Sequence, residues 1–107
     1  MELFSEANKI EIDVYDTLKS VIDPELAINI IDMGLVYDIS YSEVTGILVN
    51  MTLSSENCPM GDVILADVNA ALTEKFPEIP NNVVLVWEPK WSSDFITPNG
   101  KKSLNIL

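Results

Sequence analysis

The sequence contains no histidine and no arginine, and it has a single cysteine, Cys58. Without histidine, a Ser–His or Cys–His catalytic couple and any histidine-ligated metal are excluded. One cysteine cannot form a disulfide within the chain. The basic residues are six lysines against 17 acidic residues, so the formal net charge is −11. No basic surface can therefore follow a phosphate backbone, and nucleic-acid binding is not expected.

The sequence also lacks a long apolar run. No stretch approaches the ~20 residues that span a bilayer, and residues 1–6 have neither the positive charge nor the apolar stretch of a secretion signal. An anionic membrane surface would repel a chain of this charge. Together with the absence of disulfides, these features predict a cytoplasmic protein that works without a membrane.

Length and composition predict one folded domain over residues 1–107. A chain of 107 residues has the size of a single domain, and its 48% hydrophobic residues can fill one core. The sequence shows no internal repeat, no low-complexity tract and no long linker. Disorder is not expected, because disordered chains lack the apolar surface that offsets the entropy of ordering.

Hydrophobic periodicity predicts the element order α-β-β-α-β. Apolar residues recur every three or four positions in helices and every second position in half-buried strands. These patterns give a helix over residues 8–21, strands over 35–41, 47–54 and 82–87, and a second helix that begins at Pro59. Thr97 and Pro98 resemble a helix start, whereas Gly100 weakens a last helix over 98–105 by roughly 1 kcal/mol. We expect a two-layer α+β domain with helices packed on a small mixed sheet.

Cys58 is the strongest candidate for chemistry. It lies between a predicted strand and a predicted helix, and with Pro59 as the first helical residue it becomes the N-cap. Free backbone N–H groups and the positive end of the helix dipole then favour the thiolate, which is the form that attacks and binds metals. Glu56 and Asp62 oppose this effect. An ordinary buried cysteine is the alternative interpretation.

Polar side chains elsewhere could support the thiol. Asp23 and Glu25 flank Pro24 and could hold a hard cation or orient a partner. The simpler interpretation is that Asp-Pro starts a turn, and local chemistry favours it. Hydroxyl groups precede the cysteine at Thr52, Ser54 and Ser55. The alternative for all three is the ordinary polarity of a strand edge and a loop.

Four short motifs, taken together, resemble one known family. They are V-I-D-P-E-L at 21–26, D-M-G-L-V-Y-D-I at 32–39, M-T-L-S-S-E-N-C-P-M at 51–60 and L-V-W-E-P-K-W at 85–91. In this order and spacing they resemble the small iron–sulfur assembly domain family that includes SufT, PaaD and the eukaryotic cytosolic iron–sulfur targeting factors. The resemblance covers about residues 7–107. It implies an α+β fold shared with NifU C-terminal domains.

The resemblance also implies a function and a set of site residues. The family's role is to help mature iron–sulfur proteins, as an accessory or targeting factor rather than as an enzyme. Its reactive cysteine corresponds to Cys58, its acidic motif to Asp23 and Glu25, and its hydroxyl positions to Thr52 and Ser54. The expected partners are the iron–sulfur assembly machinery and client apoproteins.

Three departures from the family pattern affect the backbone. Ala27 stands where the family often has glycine, directly after D-P-E-L. In the tail, Gly100 stands where alanine is usual and Asn105 where glycine is usual. The tail departures put the last helix in doubt, together with any partner contact that it makes. They do not affect Cys58.

A single thiol limits what the chain can hold. Iron–sulfur clusters typically have four thiolate ligands, so we expect no tightly bound cofactor and at most a transient cluster or iron ion at Cys58. A symmetric homodimer would bring two such sulfurs together. The other interpretation is a pure adaptor that binds no metal, including a PaaD-like factor dedicated to one oxygenase system. A thiol enzyme is disfavoured, since the sequence has no histidine base and no second cysteine.

Overall fold

The computed structural model describes the backbone of residues 6–54 and 61–104, and the side chains of residues 9–54 and 61–104. The elements are α1 (Glu6–Leu18), β1 (Ile22–Asp23), β2 (Ile28–Asn29), β3 (Val36–Ser42), β4 (Gly46–Met51), α2 (Gly61–Lys75), β5 (Asn81–Leu85), a 3-10 turn (Ser93–Phe95) and α3 (Pro98–Ser103). They confirm the predicted α+β class. The pair β1–β2 is an addition that periodicity did not predict, and the predicted helix start at Pro59 lies outside the described residues.

The main sheet has three strands in the order β3-β4-β5. β3 runs antiparallel to β4, and β5 runs parallel to it, so the sheet is mixed as predicted. The sequence pattern extended the second strand to Ser54, but the ladder ends at Met51. Thr52 follows the last ladder residue, and its N–H donates to the carbonyl oxygen of Leu35, the residue before β3, at 2.8 Å.

The core lies between this sheet and the two long helices. α1 packs on β3, α2 packs on β5, and the helices contact each other. The residues that fill the space are almost fully buried: Val14 and Leu18 from α1, Ile64, Val68 and Leu72 from α2, and Ile47, Val49 and Met51 from β4. Alternate β4 residues are only half-buried, which confirms a two-layer arrangement with one covered sheet face. Within the described ranges, no helix has the length and apolarity needed to cross a membrane.

The tail forms the short last helix, although Gly100 was expected to weaken it. Thr97 is its N-cap, and the Thr97 hydroxyl accepts the Gly100 N–H at 3.1 Å and donates to Asp32 Oδ1 at 2.8 Å. Gly100 is buried, and it lies next to Asp32 and Ile96. A Cβ there would lie 2.9 Å from the Asp32 carbonyl oxygen and 2.7 Å from Ile96 Cγ2. Glycine therefore lets α3 dock closely, and Asn105 lies outside the described residues.

Candidate functional site

The turn between β1 and β2 is organised by one buried carboxylate, that of Asp23. Asp23 is 1% exposed, and its Oδ1 accepts the N–H groups of Glu25 at 2.8 Å and Leu26 at 3.3 Å. Its carbonyl oxygen accepts the Ala27 N–H at 2.8 Å. An aspartate that binds the backbone two residues on is a common way to build a turn. The turn-building interpretation of Asp23 is therefore the one that the geometry supports.

The other acidic residue of this motif, Glu25, is exposed on the same turn. The two carboxylates thus differ in environment. That of Asp23 is engaged by backbone amides, while that of Glu25 lies at the surface. In the described parts of the chain, no group of three or more Asp, Glu, His or Cys side chains is placed to hold a metal ion.

Thr52 lies at the point where the chain leaves β4 toward the cysteine. It is 1% exposed, and Asp23 and Thr52 are the two polar side chains that are buried among the described residues. The Thr52 hydroxyl donates to the Leu53 carbonyl oxygen at 3.5 Å and lies near the phenol of Tyr37, whose pKa it lowers against the larger effect of burial. Ser54, two residues on, is half-buried. Thr52 is therefore part of the packed structure rather than a polar strand edge.

Tyr37 is a residue that the sequence patterns did not single out as part of the site. Its hydroxyl donates to the Pro89 carbonyl oxygen at 2.7 Å, and its ring meets that of Phe95 edge-on at 6.0 Å between centroids. Burial raises the pKa of the Tyr37 phenol; the nearby Thr52 hydroxyl partly offsets this, and the Glu88 carboxylate adds to the increase. Tyr37 thereby joins the end of β4 to the segment that follows β5.

A second long-range bond fixes the same segment. Trp91 is half-buried, and its indole N–H donates to the Met33 carbonyl oxygen at 2.8 Å. The family-like segment E-P-K-W is thus fastened at Pro89 and at Trp91. Both bonds join residues more than 50 positions apart, and no local sequence pattern could have predicted them.

The residues on either side of the segment that contains the thiol, Leu53 and Gly61, lie close together. Cys58 and Ser55 lie in residues 55–60, outside the described residues. On one side of this segment is Leu53, which is buried, and on the other is Gly61, the first described residue of α2. A Cβ on Gly61 would lie 2.8 Å from Leu53 Cδ1. The two ends of the thiol segment are therefore anchored at one place, between β4 and α2.

The fold and these anchored residues define a small α+β domain with one cysteine segment between a strand and a helix. The family model for iron–sulfur cluster assembly proteins matches residues 11–86. This range is more than half of the chain and includes Cys58. The chain therefore belongs to the iron–sulfur cluster assembly protein family, and the resemblance inferred from the four motifs is confirmed.

Named relatives match nearly the full length. The chain is 36% identical to the Fe–S protein maturation auxiliary factor YitW of Bacillus subtilis (strain 168), over 88% of this chain and 92% of the relative. It is 41% identical to the Fe–S protein maturation auxiliary factor SufT of Staphylococcus aureus (strain USA300), over 80% of this chain and 98% of the relative. These relatives agree with the family assignment.

A solved structure has the same fold. The crystal structure of a domain of unknown function, DUF59, from Bacillus anthracis matches with a TM-score of 0.88 and 36% sequence identity. The match covers 94% of this chain and 96% of that one. The α+β architecture is thus shared along almost the whole chain, while the likeness to NifU C-terminal domains stays a prediction.

Proposed function

We propose that this chain is an accessory factor in the maturation of iron–sulfur proteins and that it does not itself catalyse a reaction. The observation that carries the proposal is the family match over residues 11–86. Relatives named as maturation auxiliary factors, aligned over most of both chains, support the same role. Its partners are then the iron–sulfur assembly machinery and client apoproteins, and its place of action is the cytoplasm, where thiols are kept reduced.

In this proposal the thiol of Cys58 contacts the cargo, which is iron or an iron–sulfur cluster. One thiolate per chain is far short of the four that clusters typically have. The remaining positions are filled by a second copy of the chain, by a small thiol or by the client. Incomplete ligation by the carrier favours release over storage. A lone thiolate therefore suits handover to a client.

The other polar residues of the candidate site act by holding the backbone. Asp23 shapes the turn between β1 and β2 through three backbone amides. Thr52 is held by Leu35 and lies near Tyr37 at the end of β4, six residues before Cys58. Ser54 and Ser55 continue the chain toward the thiol, and Glu25 adds an exposed carboxylate on the turn. We assign these residues a supporting role.

Anaerobic reconstitution tests whether the thiol handles metal. The purified wild type and Cys58→Ser are incubated with ferrous iron and sulfide and then desalted. Visible absorption and bound iron per chain are measured, with light scattering for the oligomeric state. We expect the wild type to retain iron and Cys58→Ser to lose it, because cluster binding needs the thiolate.

A matched control moves the thiol instead of removing it. The double variant Cys58→Ser with Ser20→Cys keeps one cysteine per chain, at an exposed turn after α1. We expect it to bind no more iron than Cys58→Ser. Equal iron binding by all three proteins would contradict metal handling at Cys58. The absence of bound iron in all three would contradict it too, and would favour the adaptor role.

A further inference from the structure

A groove runs between α1 and β3, and we call it the α1–β3 groove. Its volume is about 600 Å³, and its walls are Glu11, Ile12 and Tyr15 of α1, Ile31, and residues 36–39 of β3. Ile12 and Tyr15 are 46% and 43% exposed, although the Ile12 side chain is apolar and the Tyr15 side chain is an aromatic ring with one hydroxyl. The groove contains neither of the buried polar residues of the candidate site, Asp23 and Thr52. It shares one residue with that site, Tyr37.

One wall of this groove is the outer edge of the main sheet. β3 is an edge strand that pairs with β4 on one side. On the other side, the Tyr41 N–H donates to Glu11 Oε2 at 3.0 Å, so the outer edge of β3 faces α1. Backbone groups alternate in direction along an antiparallel strand, and the N–H and carbonyl of Ile39 therefore point the same way as the Tyr41 N–H.

The Ile39 backbone groups are available to another strand. In the part of the chain that the structure describes, no hydrogen bond joins them to a group outside the sheet. An unpaired edge of this kind is a template for an added strand, which main-chain hydrogen bonds hold while alternate side chains enter adjacent pockets. The exposed Ile12 and Tyr15 side chains supply an apolar wall beside the edge.

Charge decides which kind of segment fits the groove. Glu11 and Asp38 place two carboxylates in its lining. Lys19 is not part of the lining, and its Nζ lies 4.9 Å from the centroid of the Tyr15 ring. The chain as a whole carries a net charge of −11. A second copy paired edge to edge would oppose like charges, which disfavours it. An extended segment with lysine or arginine among apolar residues has the complementary charge.

We propose that the α1–β3 groove docks an extended, basic and apolar segment of a partner protein as an added strand on β3. Its backbone bonds to Ile39, its apolar side chains pack on Ile12 and Tyr15, and a cationic side chain pairs with Asp38. The proposal is independent of iron handling, since its test contains no metal. Failure of either proposal therefore leaves the other standing.

The test uses a defined probe, a fluorescein-labelled peptide of about seven residues that alternates lysine and valine, the length of an ordinary strand. Anisotropy gives its affinity for the full chain, and amide chemical shifts locate it. We expect binding with shifts at Ile39 and Tyr41. The same peptide with glutamate for lysine should bind about tenfold more weakly or not at all. A peptide with alternate backbone nitrogens methylated should also lose about tenfold, because it cannot complete the strand.

A pair of charge reversals separates docking from general attraction. Asp38→Lys changes an exposed groove residue, and we expect it to weaken peptide binding about tenfold. Glu78→Lys makes the same charge change at an exposed position outside the groove, in the connection from α2 to β5, and should change binding by less than about twofold.

Three results would overturn the proposal. Equal weakening by Asp38→Lys and Glu78→Lys would mean that net charge alone attracts the peptide. Undiminished binding of the N-methylated peptide would exclude an added strand. A free chain that is dimeric, with the Ile39 amide protected from hydrogen exchange, would mean that a second copy occupies the groove.

Discussion

The turn between β1 and β2 and the docking site of α3 differ in whether the residue at a critical position carries a Cβ: the turn has Ala27, and the docking site has Gly100. At the turn, Ala27 has a φ of 58°, a left-handed conformation in which a Cβ is unfavourable. At the docking site, Gly100 lies in a helix, where alanine is normally preferred. Both positions are ones at which this chain departs from the family pattern, in which glycine is frequent at the first and alanine is usual at the second.

The comparison shows that glycine can be the favoured residue at a position for two separate physical reasons. At Ala27 the reason is backbone conformation, since φ is 58° and the side chain is exposed. At Gly100 the reason is space, because the Asp32 carbonyl and the Ile96 methyl occupy the volume that a Cβ would need. The family residue is therefore not the better residue at both positions: we expect it to help at position 27 and to harm at position 100.

The largest expected effect on stability in this comparison is that of Gly100→Ala. A Cβ at 2.9 Å from the Asp32 carbonyl oxygen requires the helix to move, because that oxygen belongs to the backbone. Overpacking of this kind costs about 1–3 kcal/mol, and the better helix propensity of alanine returns up to about 1 kcal/mol. We expect a net loss of about 1–2 kcal/mol in the free energy of unfolding, measured by urea denaturation.

Asn99→Ala is the matched control for that variant. Asn99 is the neighbouring residue in α3, and its side chain is exposed. The substitution should leave the free energy of unfolding unchanged or raise it by a few tenths of a kcal/mol, since alanine is the better helix former. A Gly100→Ala protein as stable as the wild type would show that α3 is not held as closely as the contacts with Asp32 indicate.

A smaller effect of opposite sign is expected for Ala27→Gly. A left-handed conformation costs an L-residue about 1–2 kcal/mol, whereas glycine adopts it freely and loses more entropy on folding. The expected net gain is about 0.5–1 kcal/mol in the free energy of unfolding, again from urea denaturation. Ala66→Gly, at an exposed position inside α2, should instead lose about 1 kcal/mol. If both glycine variants lost stability, the strain assigned to Ala27 would be refuted.

The sequence patterns predicted the elements well where periodicity is long. The stripe of α1 and the alternation in β3 and β4 gave the right element types, and Val14, Leu18 and Val49 are fully buried. Periodicity did not predict β1 and β2, because two-residue strands have too few positions to show a pattern. It also carried the second strand past Met51, since the alternation of apolar residues continues after the ladder ends.

The motifs identified Asp23 and Thr52 as supporting residues, and that role stays a prediction. Local chemistry favoured a turn at Asp23, which the structure shows, but it did not predict the burial of the two side chains. Tyr37 was not identified as a site residue because its partners lie far along the chain, at Thr52 and Pro89. The predicted thiolate-favouring cap at Cys58 lies outside the described residues and stays a prediction.

The measurement that tests the central proposal most directly is the recovery of client activity in cells. A Bacillus subtilis strain without YitW receives the wild-type chain, Cys58→Ser or Gly100→Ala, the last being a destabilised control with its thiol intact. The specific activity of an iron–sulfur dehydratase is measured against the amounts of dehydratase and of the expressed factor. We expect recovery with the wild type and Gly100→Ala, and none with Cys58→Ser. Full recovery with Cys58→Ser, or no recovery with the wild type, would contradict the proposal.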